Sequence, residues 1–123
     1  MESKLLITPE EVKNELEIDL VAELGVQPKQ AERWLLRVQR TIINHVARYT
    51  YGGVESVWRR MNDERYKSVI KEAIVEQIDY LATNNYVQAD QIMKTGQGQL
   101  AEPIIAPLAH QLLLNAGLLY TGV

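Results

Sequence analysis

An all-α fold is predicted: a small bundle of two long central helices, with shorter N- and C-terminal helices and a loop or small hairpin before the last helix. Apolar residues recurring every three or four positions over two long stretches point to it. So do helix-start signals at Thr8-Pro9 and Pro28, and glycine breaks at Gly25, Gly52-Gly53 and Gly117. The chain has 123 residues, 46% of them hydrophobic and 24% charged, which fits one globular domain over 1–123 with a modest core.

The elements follow in order. Thr8 caps a first helix over 9–17, Pro9 suits its first position, and Glu11 completes a capping box; Val12 and Leu16 are its apolar positions. A short helical piece is expected within 18–24, stopped by Gly25. Pro28 opens the second helix, run here to Tyr49. Ala31, Trp34, Leu35, Val38, Ile42, Val46 and Tyr49 share one face of it, while Lys29, Arg33, Arg37, Arg40 and Arg48 fall opposite. Val54–Met61 is a further short helix. Asn62 or Asp63 caps the third long segment, 63–85, with a stripe of Tyr66, Val69, Ile70, Ala73, Ile74, Ile78 and Leu81. Residues 86–102 have no clean period; Thr95-Gly96-Gln97-Gly98-Gln99 reads as a loop or the tip of a small hairpin. A last helix over 104–116 places Leu108, Leu112, Leu113 and Ala116 on its apolar face, and Gly117 is a good C-terminal stop. Leu118, Leu119, Tyr120 and Val123 then form an apolar tail.

Few kinds of chemistry are supported. With no cysteine, disulfides, thiolate metal sites and thiol catalysis are excluded. No apolar run is long enough to span a membrane, and no signal-peptide pattern opens the chain. The Gly96-Gln97-Gly98 stretch lacks the third glycine or the Gly-Lys-Ser/Thr of a phosphate loop. His45 and His110 stand alone in sequence and read as packed side chains, so neither a metal nor another cofactor is expected. The paired acids Glu10/Glu11 and Glu72/Glu76 look like solvated helix surfaces, not two carboxylates in contrasting environments. An enzyme is therefore not expected.

Charge is more informative. The net charge of −3 conceals three blocks: −5 over 1–25, +6 over 26–71 and −4 over 72–123. Glu10, Glu11, Glu15 and Glu17 of one subunit are set to meet Lys29, Arg33, Arg37, Arg40 and Arg48 of the next. Such a contact is heterologous, and heterologous contacts close into rings or grow into filaments. The apolar tail, if not folded onto its own core, is a second docking element. The alternative is a small helical nucleic-acid-binding regulator that lays the basic stripe on phosphates; the segments around Gly52-Gly53 are long for a helix–turn–helix.

Two stretches carry a resemblance. One is Ile7-Thr8-Pro9-Glu10-Glu11-Val12-Lys13. The other is Ile105-Ala106-Pro107-Leu108-Ala109 with Leu112-Leu113-Leu114-Asn115-Ala116-Gly117-Leu118-Leu119-Tyr120. With two long helices and a glycine-bearing turn between them, the chain resembles the head–tail connector (adaptor, head-completion) proteins of tailed bacteriophages over nearly its whole length. The resemblance implies a virion protein of the neck, present in the host cytoplasm during assembly. It would be a homo-oligomeric ring, commonly of twelve copies, docked beneath the portal protein. Such a ring extends the channel for packaged DNA and joins a downstream stopper or tail-completion protein; no membrane is involved. The family's portal-docking C-terminal segment corresponds to Gly117 through Val123, with Leu118, Leu119, Tyr120 and Val123 as anchors. Its loop facing the channel or the next ring corresponds to about 92–102, including Lys94, Thr95, Gly96, Gln97, Gly98 and Gln99.

Overall fold

The computed structural model describes residues 5–84 and 105–119, and among these it contains six helices and no strand. They are α1 (Pro9–Leu16), α2 (Leu20–Leu24), α3 (Pro28–Ala47), α4 (Gly53–Arg60), α5 (Glu64–Thr83) and α6 (Pro107–Asn115). The all-α helical bundle read from the sequence is the fold. Helix α5 lies at its centre, packed against α6, α3 and α1; α4 folds back on α3, and α2 bridges α1 and α3.

Local chemistry accounts for the helix ends. The Glu11 amide donates to Thr8 Oγ1 at 3.2 Å and the Thr8 amide to Glu11 Oε1 at 2.9 Å, the expected capping box. Asp63, not Asn62, caps α5, accepting from the Arg65 amide at 2.9 Å. Gly117, at φ 82°, closes α6 in a Schellman turn. The Leu118 amide reaches the Leu113 carbonyl and the Gly117 amide the Leu114 carbonyl, both at 3.0 Å. Glu17 ends α1 at φ 59° and is the one described non-glycine residue in the left-handed region.

The core joins Leu35, Val38, Ile42 and Val46 of α3 to Ile70, Ile74 and Ile78 of α5 and Leu113 of α6, all essentially inaccessible to water. Each such side chain contributes about 1.5–3 kcal/mol relative to exposure. Val12, Leu20 and Val57 attach the short helices to the same cluster.

Two buried glutamines hold the incoming chain segments. Gln39 Oε1 accepts the Leu6 amide and Gln77 Oε1 the Ala106 amide, each at 2.7 Å. Each long helix thus supplies one acceptor to a segment that leads into a proline-initiated helix. An amide buried there without a partner would cost about 1–3 kcal/mol.

Several boundaries and faces differ from expectation. Helix α3 stops at Ala47, where Thr50 Oγ1 donates back to the Val46 carbonyl at 2.9 Å and the last turn tightens. Tyr49 therefore leaves the core face and is exposed. The buried face of α3 is wider than the predicted stripe and takes in Gln39 and Ile43. Helix α6 begins at Pro107, not 104, because a residue before proline is held out of the helical region; Ala106 has ψ 135°. Its buried face is Ala109 and Leu113, while Leu108 is 63% exposed and Ala116 is also exposed. The outer side is marked by Gln111 and Asn115, which hydrogen-bond to each other at 3.0 Å opposite Ala109 and Leu113, so the leucine spacing alone misplaces the core face. The expected hairpin over 86–102 lies outside the described residues.

Candidate assembly surfaces

The basic stripe survives folding as one exposed face. Lys29, Arg33, Arg37 and Arg40 project from α3 and Arg48 from its C-terminal cap, all exposed and on the side away from the core. Lys29–Arg33 and Arg33–Arg37 are like-charge pairs one turn apart. Each such pair destabilises a helix by about 0.2–0.5 kcal/mol. Glu32 is the one acid on α3, so little on this helix offsets the repulsion.

Beside this face, α3 and α4 leave an apolar groove of about 190 Å³. Leu36, Ile43, Val54 and Trp58 form its walls, and Arg40 and Asn44 stand at its rim. Val54 is 42% exposed, and Tyr51, in the turn before α4, is 97% exposed.

The acidic residues are divided. Glu10, Glu15 and Glu17 are exposed on or just after α1. Glu11 is half-buried and already engaged: it completes the Thr8 cap and lies 3.8 Å from Lys71 Nζ. It is therefore the least available of the four to another molecule.

The tail requires a correction. Leu119 is only 5% exposed and belongs to the core cluster, with Leu118 packed against it. The Schellman turn directs the chain back over α6, so these two residues are not presented as an anchor by the folded subunit. Exposing Leu119 would cost about 2 kcal/mol of lost burial. Tyr120 and Val123 lie outside the described residues, as does the loop Lys94, Thr95, Gly96, Gln97, Gly98 and Gln99. The apolar groups that α6 does expose are Leu108 and Leu114.

No protein-family model, curated protein or solved structure matches the chain.

A polar cleft of about 810 Å³ runs between α1 and α5 and touches Leu112. Glu15, Glu64 and Glu72 along it are exposed, and Glu11 and Glu76 are half-buried; Lys67 and Lys71 lie among them. The acids alternate with lysines on an open wall, which provides neither a dry carboxylate nor an enclosed place for substrate. Beside α5's start, the Tyr66 hydroxyl is buried with no hydrogen-bond partner among the described residues. Burial pushes this phenol above its ordinary value of 10.0, against the opposing pull of Arg60.

One pairing was not foreseen. His45 of α3 and His110 of α6 meet, Nε2 to Nδ1, at 3.1 Å. Each stands alone in sequence, and nothing in a separation of 65 positions announces the contact. The available signal was that His110 is four residues after Ala106 and three before Leu113, on the face that α6 buries. Among the described residues no group of three or more histidines or acids is arranged around a metal, and no helix is long and apolar enough to cross a membrane.

Proposed function

We propose that this chain is a structural subunit that assembles head-to-tail into a ring, acting as the adaptor beneath a phage portal and joining capsid to tail. The observation that carries the reading is the single-sign face of α3. Lys29, Arg33, Arg37 and Arg40 are kept together there, exposed, at a cost to helix stability. Exposed acids on α1 supply the complement, and the groove between α3 and α4 adds an apolar centre beside the cations. A ring contact of this kind has a desolvated apolar middle and a charged margin, in which charge sets register and apolar burial supplies affinity. At the α6 end, contact with a portal falls to Leu108, Leu114 and the residues beyond Leu119.

Electron microscopy of the protein mixed with a portal tests the proposal. An axial ring below the portal is expected, and no association would refute it. The double substitution Arg37→Glu with Arg40→Glu should abolish assembly while the monomer stays folded, and raised salt should weaken assembly of the parent protein. Undisturbed assembly of the double variant would remove the basic face from the interface. Salt-dependent binding of the free subunit to duplex DNA, without rings, would instead favour a nucleic-acid-binding role for the same face.

A further inference from the structure

The contact between His45 and His110 links two helices that are distant in sequence. Its nitrogens are 3.1 Å apart, the ring centroids 5.3 Å apart, and the ring planes inclined by 52°. Both rings are half-buried, so solvent reaches them. Tyr49 stands edge-on to His45 at 5.9 Å. A neutral imidazole carries one N–H and one ring lone pair, so in this contact one nitrogen donates and the other accepts.

Imidazole nitrogens bind divalent late transition metals at about 2.0–2.1 Å. Two such bonds to nitrogens at the observed separation close an angle of roughly 100° at the metal. That lies between the cis angle of an octahedral ion and the tetrahedral angle. We propose that His45 and His110 form a two-ligand site for a late first-row divalent cation, with Cu²⁺ preferred over Ni²⁺ and Zn²⁺, bridging α3 to α6. The cation replaces the proton held between the rings. That proton passes through solvent to the other nitrogen of its own ring, so both ligands remain neutral and no net proton is released. No third histidine or acid joins the pair among the described residues, so water completes the coordination. A bound ion cross-links the folded state and stabilises it by mass action.

The test uses untagged protein. At Ni²⁺ or Cu²⁺ about a hundredfold above the dissociation constant, the melting temperature should rise by roughly 5–10 °C and return on adding a chelator. His45→Gln and His110→Gln should each lose the rise. No rise with any of the three cations, or a rise that persists in either variant, would overturn the site. Should a variant fail to fold, electron paramagnetic resonance of Cu²⁺ on the parent protein decides. Hyperfine structure from two nitrogens is expected, and one nitrogen or none overturns the proposal.

Discussion

Helices α3 and α5 are both twenty residues long, and each buries a continuous apolar face containing one glutamine. Their outer surfaces differ. Along α5, Glu64 and Glu72 share turns with Arg65, Lys67 and Lys71, and Glu76 and Asp79 follow, so its surface carries charges of both signs. On α3 the cations stand almost alone. The α5 pattern is what a helix needs for solubility and internal pairing. The α3 pattern is not, and the proposed interface rests on that difference.

Core substitutions should treat the two helices alike. Ile74→Ala on α5 and Ile42→Ala on α3 each remove a fully buried side chain and should cost about 2–5 kcal/mol, measured by urea unfolding. A loss confined to α5 would mean that α3 is peripheral to the cooperative core. Next come the glutamines. Gln77→Leu and Gln39→Leu strand the Ala106 and Leu6 amides, and each should lose about 1–3 kcal/mol. Asp63→Ala removes the α5 cap at a cost of about 1 kcal/mol.

The surfaces should then separate the helices. Arg37→Glu should raise monomer stability by a few tenths of a kcal/mol, since it turns a repulsive turn-to-turn pair with Arg33 into an attractive one. Its effect on assembly should have the opposite sign. Tyr66 gives the smallest effect, at alkaline pH. Its folded state favours the neutral phenol more than the unfolded chain does. That stabilisation is complete below about pH 10 and lost as pH rises through the raised value. Tyr66→Phe should flatten this alkaline decline in a thermal-melting series without lowering stability at neutral pH.

Much of the architecture could be read before any coordinates. The proline and acid signals located α1, α3 and α5 to within two residues, because capping is local chemistry. The α3 core stripe was legible because its opposite face is polar. Helix α6 is a different case: Leu108, Leu112, Leu113 and Leu114 spread around the helix, so the leucine spacing misplaces the core face, whereas the polar pair Gln111 and Asn115 lies opposite Ala109 and Leu113 and marks the outer side. Tyr49 was misplaced because the backbone tightened at Thr50. The cations of α3 and most of the α1 acids were found as surface groups, since charge predicts exposure. For Leu118 and Leu119 the sequence leaves two destinations open, the subunit's own core or another protein, and the turn at Gly117 directs them to the core. The histidine contact depends on two helices meeting at one height, and no spacing along the chain encodes that.

The glutamine acceptors also have a kinetic consequence. The Leu6 and Ala106 amides belong to no helical ladder and, by position alone, would be expected to exchange with deuterium quickly. Held by side chains rooted in α3 and α5, they should exchange as slowly as the innermost amides of those helices. They then report the same cooperative opening event, from the segments that lead into α1 and α6.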